Sequence, residues 1–346
     1  MFTPWIPDVA ALFPSPLRGP ALRKLSRCLA ISILGLASIA AFGQTFTSFD
    51  APGLNTTPTG INSSGAITGW YQDATGTHGF LRDATGGMTT FDVPGAIGTT
   101  PTSISSTGLI TGRYADANSF LHGFVRDAAG NITTFDVPRS VATAPFSINA
   151  DGAITGFWVD TSNIVHGFLR SARGGFTTPE PGGAISSRAL SINTAGTITG
   201  SYVDRNGSTH GFLRVKGRFI SFDPTADSFR VTPVSINADG AIAGFFTDST
   251  GTHGFVRSAA GQMTTFDPPG AILTNATSIN TAGAITGQYL DASRKIHGFL
   301  RDATGGMTAI DVAGADGTSP FSINDNGVIT GFYFDSTGQH GFVRQP

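Results

Sequence analysis

The sequence predicts an all-β fold, a seven-bladed β-propeller of four-stranded antiparallel blades with the ring closed by the N-terminal strand, and three observations predict it. First, the pentapeptide His-Gly-Phe-Leu/Val-Arg occurs seven times and uses every histidine: His78, His122, His166, His210, His253, His297 and His340. Their spacings of 44, 44, 44, 43, 44 and 43 residues mark a repeat whose units bury their apolar faces only against neighbours. Second, Gly 46 and Pro 19 with 13% charged residues fit short strands and tight turns; long helices are disfavoured because interior glycine costs about 1 kcal/mol. Third, the repeat count is offset. The chain opens its repeats on a lone fourth segment, Thr47-Ser48-Phe49-Asp50, and ends just after a third, His340-Gly341-Phe342-Val343-Arg344. In a closed ring that first strand completes the last sheet, whereas an open solenoid would have no use for the offset. A β-solenoid or a ring of another blade number is the competing architecture.

Each unit reads as four segments. The first is Ser-Ile-Asn or a near variant, as in Ser147-Ile148-Asn149. An Asn/Asp/Gly turn such as Asn149-Ala150-Asp151-Gly152 leads to the second, so the two are expected to be antiparallel neighbours. In the second segment Ile67, Gly69 and Tyr71 share one face, and Ala66, Thr68 and Trp70 the other. All five tyrosines occupy one repeat position there, with Trp158 and Phe246 in the remaining units. Two residues later comes an aspartate: Asp73, Asp116, Asp160, Asp204, Asp248, Asp291 and Asp335. The histidine strand follows, and then a glycine-bearing turn and the fourth segment, as in Met263-Thr264-Thr265-Phe266-Asp267. One unit departs, reading Phe176-Thr177-Thr178-Pro179-Glu180-Pro181; proline cannot donate to a ladder, so a short or displaced edge strand is expected.

The chain divides into a leader, residues 1–43, and the repeat domain, residues 44–346. Arg18, Arg23, Lys24 and Arg27 precede an uncharged apolar run and then Ala41-Phe42-Gly43, the layout of a secretory signal peptide cleaved after Gly43. The protein is therefore expected to be secreted, with no membrane association after cleavage; a retained anchor is the alternative, although the run is short for about 30 Å of hydrocarbon. Cys28 is the only cysteine, so neither a disulfide framework nor a cysteine zinc site is available to the repeats. Beyond the leader, 17 basic residues face 22 acidic ones, which argues against nucleic acid as a partner.

The period, the Ser-Ile-Asn…Gly-x-Ile-Thr-Gly segment and the His-x-Phe-Leu/Val-Arg strand resemble the probable extracellular HAF-family repeats of bacteria, with His-Gly-Phe here in place of His-Ala-Phe. The resemblance covers residues 45–346. It implies an exported bacterial protein and carries no activity that could be transferred.

Seven aspartates, seven histidines and seven arginines invite one metal or ligand site per unit, with Asp73 and His78 as ligands. A structural role is favoured instead, because catalytic groups occur once per fold whereas a feature copied in every unit serves the folding of each. No metal, cofactor or catalytic residue is assigned. The turns Asn62-Ser63-Ser64-Gly65 and Asn193-Thr194-Ala195-Gly196 lack the carboxylates that calcium needs. No Gly-x-Ser-x-Gly elbow, His-Glu-x-x-His or phosphate loop is present, and Glu180 is the only glutamate. The ligand-binding candidates are Trp70, Arg113, Phe157 and Gln288, from the position after Thr-Gly that varies between units; packing between blades is the competing reading. The function read from this is a monomeric, non-enzymatic binding or interaction scaffold for a protein or glycan. A lectin with repeated weak sites and a propeller hydrolase or lyase are the alternatives. The histidines, lying in apolar strands, are expected to be buried and neutral, with stability lost below about pH 6.5.

Overall fold

A computed structural model of the protein describes residues 45–346; the expected leader lies outside the described residues. These residues form 28 strands, β1 to β28 in chain order, and no helix. The strands come in sets of four. In the first set β2 (Leu54–Ile61), β3 (Ile67–Gln72), β4 (Thr77–Arg82) and β5 (Met88–Phe91) pair in that order, all antiparallel. The pattern recurs along the chain. In the last set β26 (Gly317–Ile323), β27 (Ile329–Asp335) and β28 (Gly338–Arg344) take their fourth strand from the other end of the repeats, β1 (Phe46–Phe49), with Phe46 opposite Arg344 and Phe49 opposite Gly341. The first strand of each set lies against the first strands on either side, and β26 lies against β2.

Local chemistry explains the sets. In the turn after Ile148, Gly152 takes φ 83° and its N–H donates to the Asn149 carbonyl at 3.0 Å. The Asn149 side-chain oxygen accepts the N–H of Ala153 at 2.9 Å, so the asparagine closes the loop that its backbone begins. Gly156 in the following strand meets a different constraint, since a Cβ there would collide with the Ala144 carbonyl and the Phe168 ring. The expected short edge strand is present as β13 (Phe176–Thr177), two residues long.

The core is copied once per set. The phenylalanine of His-Gly-Phe is almost fully buried in all seven, from Phe80 to Phe342, as is the second-strand isoleucine, from Ile67 to Ile329. These side chains pack on the preceding set: Phe91 meets Phe124 edge-to-face at 6.2 Å, and Phe266 meets Phe299 likewise at 6.0 Å. The repeat arginine covers the same seam, with the Arg82 guanidinium 5.0 Å from the Phe49 ring and Arg170 4.7 Å from Phe135, a favourable cation–π placement.

Two side chains of Ser-Ile-Asn also cross between sets. The buried amide of Asn149 donates to the Asn193 carbonyl, Asn193 to Asn237, Asn237 to Asn280, Asn280 to Asn324, and Asn324 to Asn62 at 2.9 Å. Asn62 in turn donates to Ser105, whose shorter side chain cannot pass the amide contact on. The serine hydroxyl accepts the isoleucine N–H of the next set, as Ser147 does from Ile192 at 3.3 Å. Gly60 has no hydroxyl to offer Ile104, and a Cβ there would meet only ordinary contacts at 3.5 Å or more.

Gly60→Ser is therefore expected to raise unfolding stability by about 1 kcal/mol, from one added hydrogen bond and a stiffer unfolded chain. Asn280→Ala is expected to lower it by about 2 kcal/mol, because the buried Asn324 carbonyl and the Ala284 N–H both lose a partner. Urea titration of the two variants against the parent protein checks both signs.

Candidate functional site

Because the strands alternate in direction and the asparagine turns adjoin one another, the molecule has two distinct ends. At the asparagine end lie the turns between first and second strands and those between third and fourth. At the other, the histidine end, lie the second-to-third turns and the connections from each fourth strand to the next first strand.

Each histidine stands between two carboxylates at this second end. His78 Nδ1 lies 2.8 Å from Asp92, at the close of the fourth strand, and Nε2 lies 3.0 Å from the turn aspartate Asp73. The arrangement repeats with Nδ1 distances of 2.6–3.0 Å and Nε2 distances of 3.0–3.6 Å, and for His340 the Nδ1 partner is Asp50, beside β1. Every imidazole also faces the aromatic position of the second strand: Tyr114 lies 5.0 Å from His122 and Trp158 4.7 Å from His166. The turn aspartate is bound from below as well, since Asp73 accepts the N–H and hydroxyl of Thr75.

The irregular unit is regular in this respect. Glu180 reaches His166 Nδ1 at 2.6 Å, so the longer side chain of the sole glutamate makes the contact that aspartate makes elsewhere, across the displacement caused by Pro179 and Pro181.

The protonation expected of His78, His166 and His210 is corrected by this geometry. The hydrogen bond to Asp92, with Asp73 adding to it, raises the His78 pKa. Burial works most strongly against protonation of His166 and His210, yet their paired carboxylates outweigh it and raise both. Asp73 and Asp291 are drawn down to about 2, first by the hydroxyls of Thr75 and Ser293. Apolar neighbours on the strand did not decide the matter; the flanking carboxylates did, and only the fold brings the second of them near. No group of three or more potential metal ligands is found among the described residues.

Two of the four ligand-binding candidates, Phe157 and Gln288, contact the next set. Phe157 is 3% exposed, against the Phe146 ring at 5.5 Å and beneath the Arg188 guanidinium. Gln288 is buried and hydrogen-bonded to Ser319. Both side chains are enclosed by protein neighbours. Trp70 and Arg113 are half-buried, and burial pulls the Arg113 guanidinium pKa down.

What sequence reading missed lies eight residues before each asparagine, where the connection meets the first strand. Leu54, Ile97, Val141, Ile185, Phe229 and Ile272 occupy this position in six units and are 39–69% exposed; the seventh unit has Asp316. A 43–44 residue recurrence of large apolar residues was the available signal, masked because the position directly adjoins a strand. Phe120 and Ile164, in second-to-third turns, add two exposed apolar groups at the same end. At this end a cavity of about 210 Å³ is lined by His122, Asp136, Val137, Pro138, Arg139 and Val141 among others. Arg139 has φ 70° where Gly95, Gly183, Gly270 and Gly314 have φ 79–87°, a left-handed backbone that disfavours an arginine.

No family model and no curated protein matches the chain. Among solved structures it is similar to virginiamycin B lyase from Staphylococcus aureus, with a TM-score of 0.57 and 15% identity over 88% of this chain and 100% of that one. It is similar also to the β-propeller domain of the Trilobed protease from Pyrococcus furiosus, described as having an open velcro topology, with a TM-score of 0.59 and 9% identity over 84% and 95%. A third likeness is YCF48 bound to D1 peptide, with a TM-score of 0.53 and 11% identity over 87% and 97%. At these identities the likeness shows the propeller type of fold and nothing of activity.

The pH dependence follows from the raised and lowered groups. Stability contributed by His78, His166 and His210 is fully present below about pH 6.5 and is lost as pH rises through their higher folded values. That contributed by Asp73 and Asp291 is present above about pH 4 and is lost as pH falls toward about 2. The melting temperature is expected to be higher at pH 5.5 than at pH 8.5; the opposite order would mean that the imidazoles of His78, His166 and His210 fold neutral.

Proposed function

We propose that the protein is a seven-bladed propeller, closed by β1, that is exported and acts as a non-enzymatic scaffold binding another protein at its histidine end. Closure is supported by the pairing of β1 with β28 and by the Asn324 amide reaching Asn62. The observation that carries the binding reading is the exposed apolar position repeated in six units. An exposed Ile, Leu or Phe contributes little to folding, yet here it recurs at one end only and accumulates into a surface of the kind that marks protein contacts.

The chemistry of that end favours protein over sugar. Saccharide sites stack rings on open aromatic faces, whereas five of the six recurrent residues are aliphatic and the variable aromatic Phe157 is packed away. Catalysis is disfavoured for the same structural reason in every unit, since each imidazole is held between two carboxylates. A propeller of similar fold has been solved bound to a peptide.

Two measurements test this. The triple variant Ile97→Ser/Ile185→Ser/Phe229→Ser is expected to unfold within about 1.5 kcal/mol of the parent protein, about 0.5 kcal/mol for each exposed position; a cost of about 4 kcal/mol or more would assign these residues to the fold. Glycan arrays and insoluble polysaccharides are expected to show no binding at millimolar saccharide, and titration to several sites per chain would replace the scaffold by a lectin.

A further inference from the structure

The topology sorts the charges of the described residues in a way their sum hides. The histidine end holds the seven turn aspartates, the seven carboxylates that close the fourth strands, Asp227 and Asp316. These sixteen acidic groups face five basic ones there, Arg139, Arg205, Arg230, Arg294 and Lys295. At the asparagine end the balance reverses: the seven repeat arginines, Arg173, Lys216 and Arg218 face six aspartates. Even with all seven imidazoles protonated, acid exceeds base at the histidine end.

From this we infer that the partner held by the histidine end is a cationic and apolar polypeptide segment, Lys- or Arg-rich, lying on the arc of Leu54, Ile97, Val141, Ile185, Phe229 and Ile272. The inference rests on the binding-scaffold reading above and supplies its partner. The apolar arc gives the segment a surface to dehydrate, and the carboxylates around it give a field that draws cations in and disfavours anions. Other occupants match less well. A second copy docked by the same end would set acid against acid. One docked by its asparagine end would bring basic residues but, among the described residues, no exposed large apolar group, since Ile220, the remaining large exposed apolar residue among them, lies in a fourth strand. An anionic lipid surface is repelled, and a neutral glycan gains nothing from the field. Asp316 interrupts the apolar series at the seventh unit, so the arc has two ends and suits one extended segment better than a sevenfold set of equal ligands.

The test uses three labelled synthetic peptides of about 12 residues, enough to lie along several units: alternating Leu-Lys, alternating Ser-Lys and alternating Leu-Glu, each titrated by fluorescence anisotropy. The Leu-Lys peptide is expected to bind at least about tenfold tighter than either of the others, and to weaken as salt rises from about 50 to 300 mM. Ile97→Ser/Ile185→Ser/Phe229→Ser is expected to weaken it about tenfold while leaving the salt dependence in place. Equal binding of Ser-Lys and Leu-Lys would overturn the inference by showing charge alone at work, as would tighter binding of Leu-Glu. If Leu-Glu binding were abolished by the triple variant, the scaffold reading would survive with a different partner. If none of the peptides bound, the inference would fall. If any peptide bound the parent protein and the triple variant equally, the arc itself would be excluded and both readings would fall together.

Discussion

The asparagine of Ser-Ile-Asn holds the units in register. Its oxygen closes the turn of its own unit and its amide donates to the turn of the next, so one buried side chain specifies both a hairpin and the way that hairpin sits on its neighbour. The apolar seams leave sliding cheap, because one phenylalanine against another tolerates small shifts. A buried amide bonded to a backbone carbonyl does not, since losing that partner costs about 1–3 kcal/mol. The serine two residues earlier adds a second directional contact at the same seam. Together they convert a nonspecific stacking of sheets into a fixed rotation per unit.

The opposite end is organised by charge. There the imidazole is the bridge, between a turn aspartate and a carboxylate on the outermost strand, with an aromatic ring behind it. The contact ties the edge strand to the rest of its set, which explains why Glu180 keeps it where prolines shorten the strand. It also concentrates two carboxylates per unit on one face of the molecule. A device that stabilises each set thus gives the assembled surface its acidity, and the apolar residues at the strand starts are set within that field.

Much of this was legible in the repeat. The strand order within a set, the common face of Ile67 and Tyr71 and the short edge strand after Arg170 follow from alternation, turn residues and proline. The asparagine was legible only as a turn residue. Its second bond depends on the rotation between sets, which the sequence of one unit does not contain. The histidine pKa was misjudged for the same kind of reason: Asp92 lies 14 residues from His78, and only the return of the fourth strand brings it to the ring. Phe157 and Gln288 stood out because they vary, and the side chains opposite them, Arg188 and Ser319, come from the next set and differ as well.

By itself, then, the sequence determined the period, the four-strand unit and which residues each unit must bury, because these depend on chemistry within about forty residues. The tertiary structure decided which groups from different units meet and which face water together. The Asn324–Asn62 contact joins residues 262 apart, and the apolar arc and its surrounding carboxylates become one surface only when the sets are assembled side by side. Contacts within a unit are fixed by local order along the chain, whereas a surface shared by all units is a property of their arrangement.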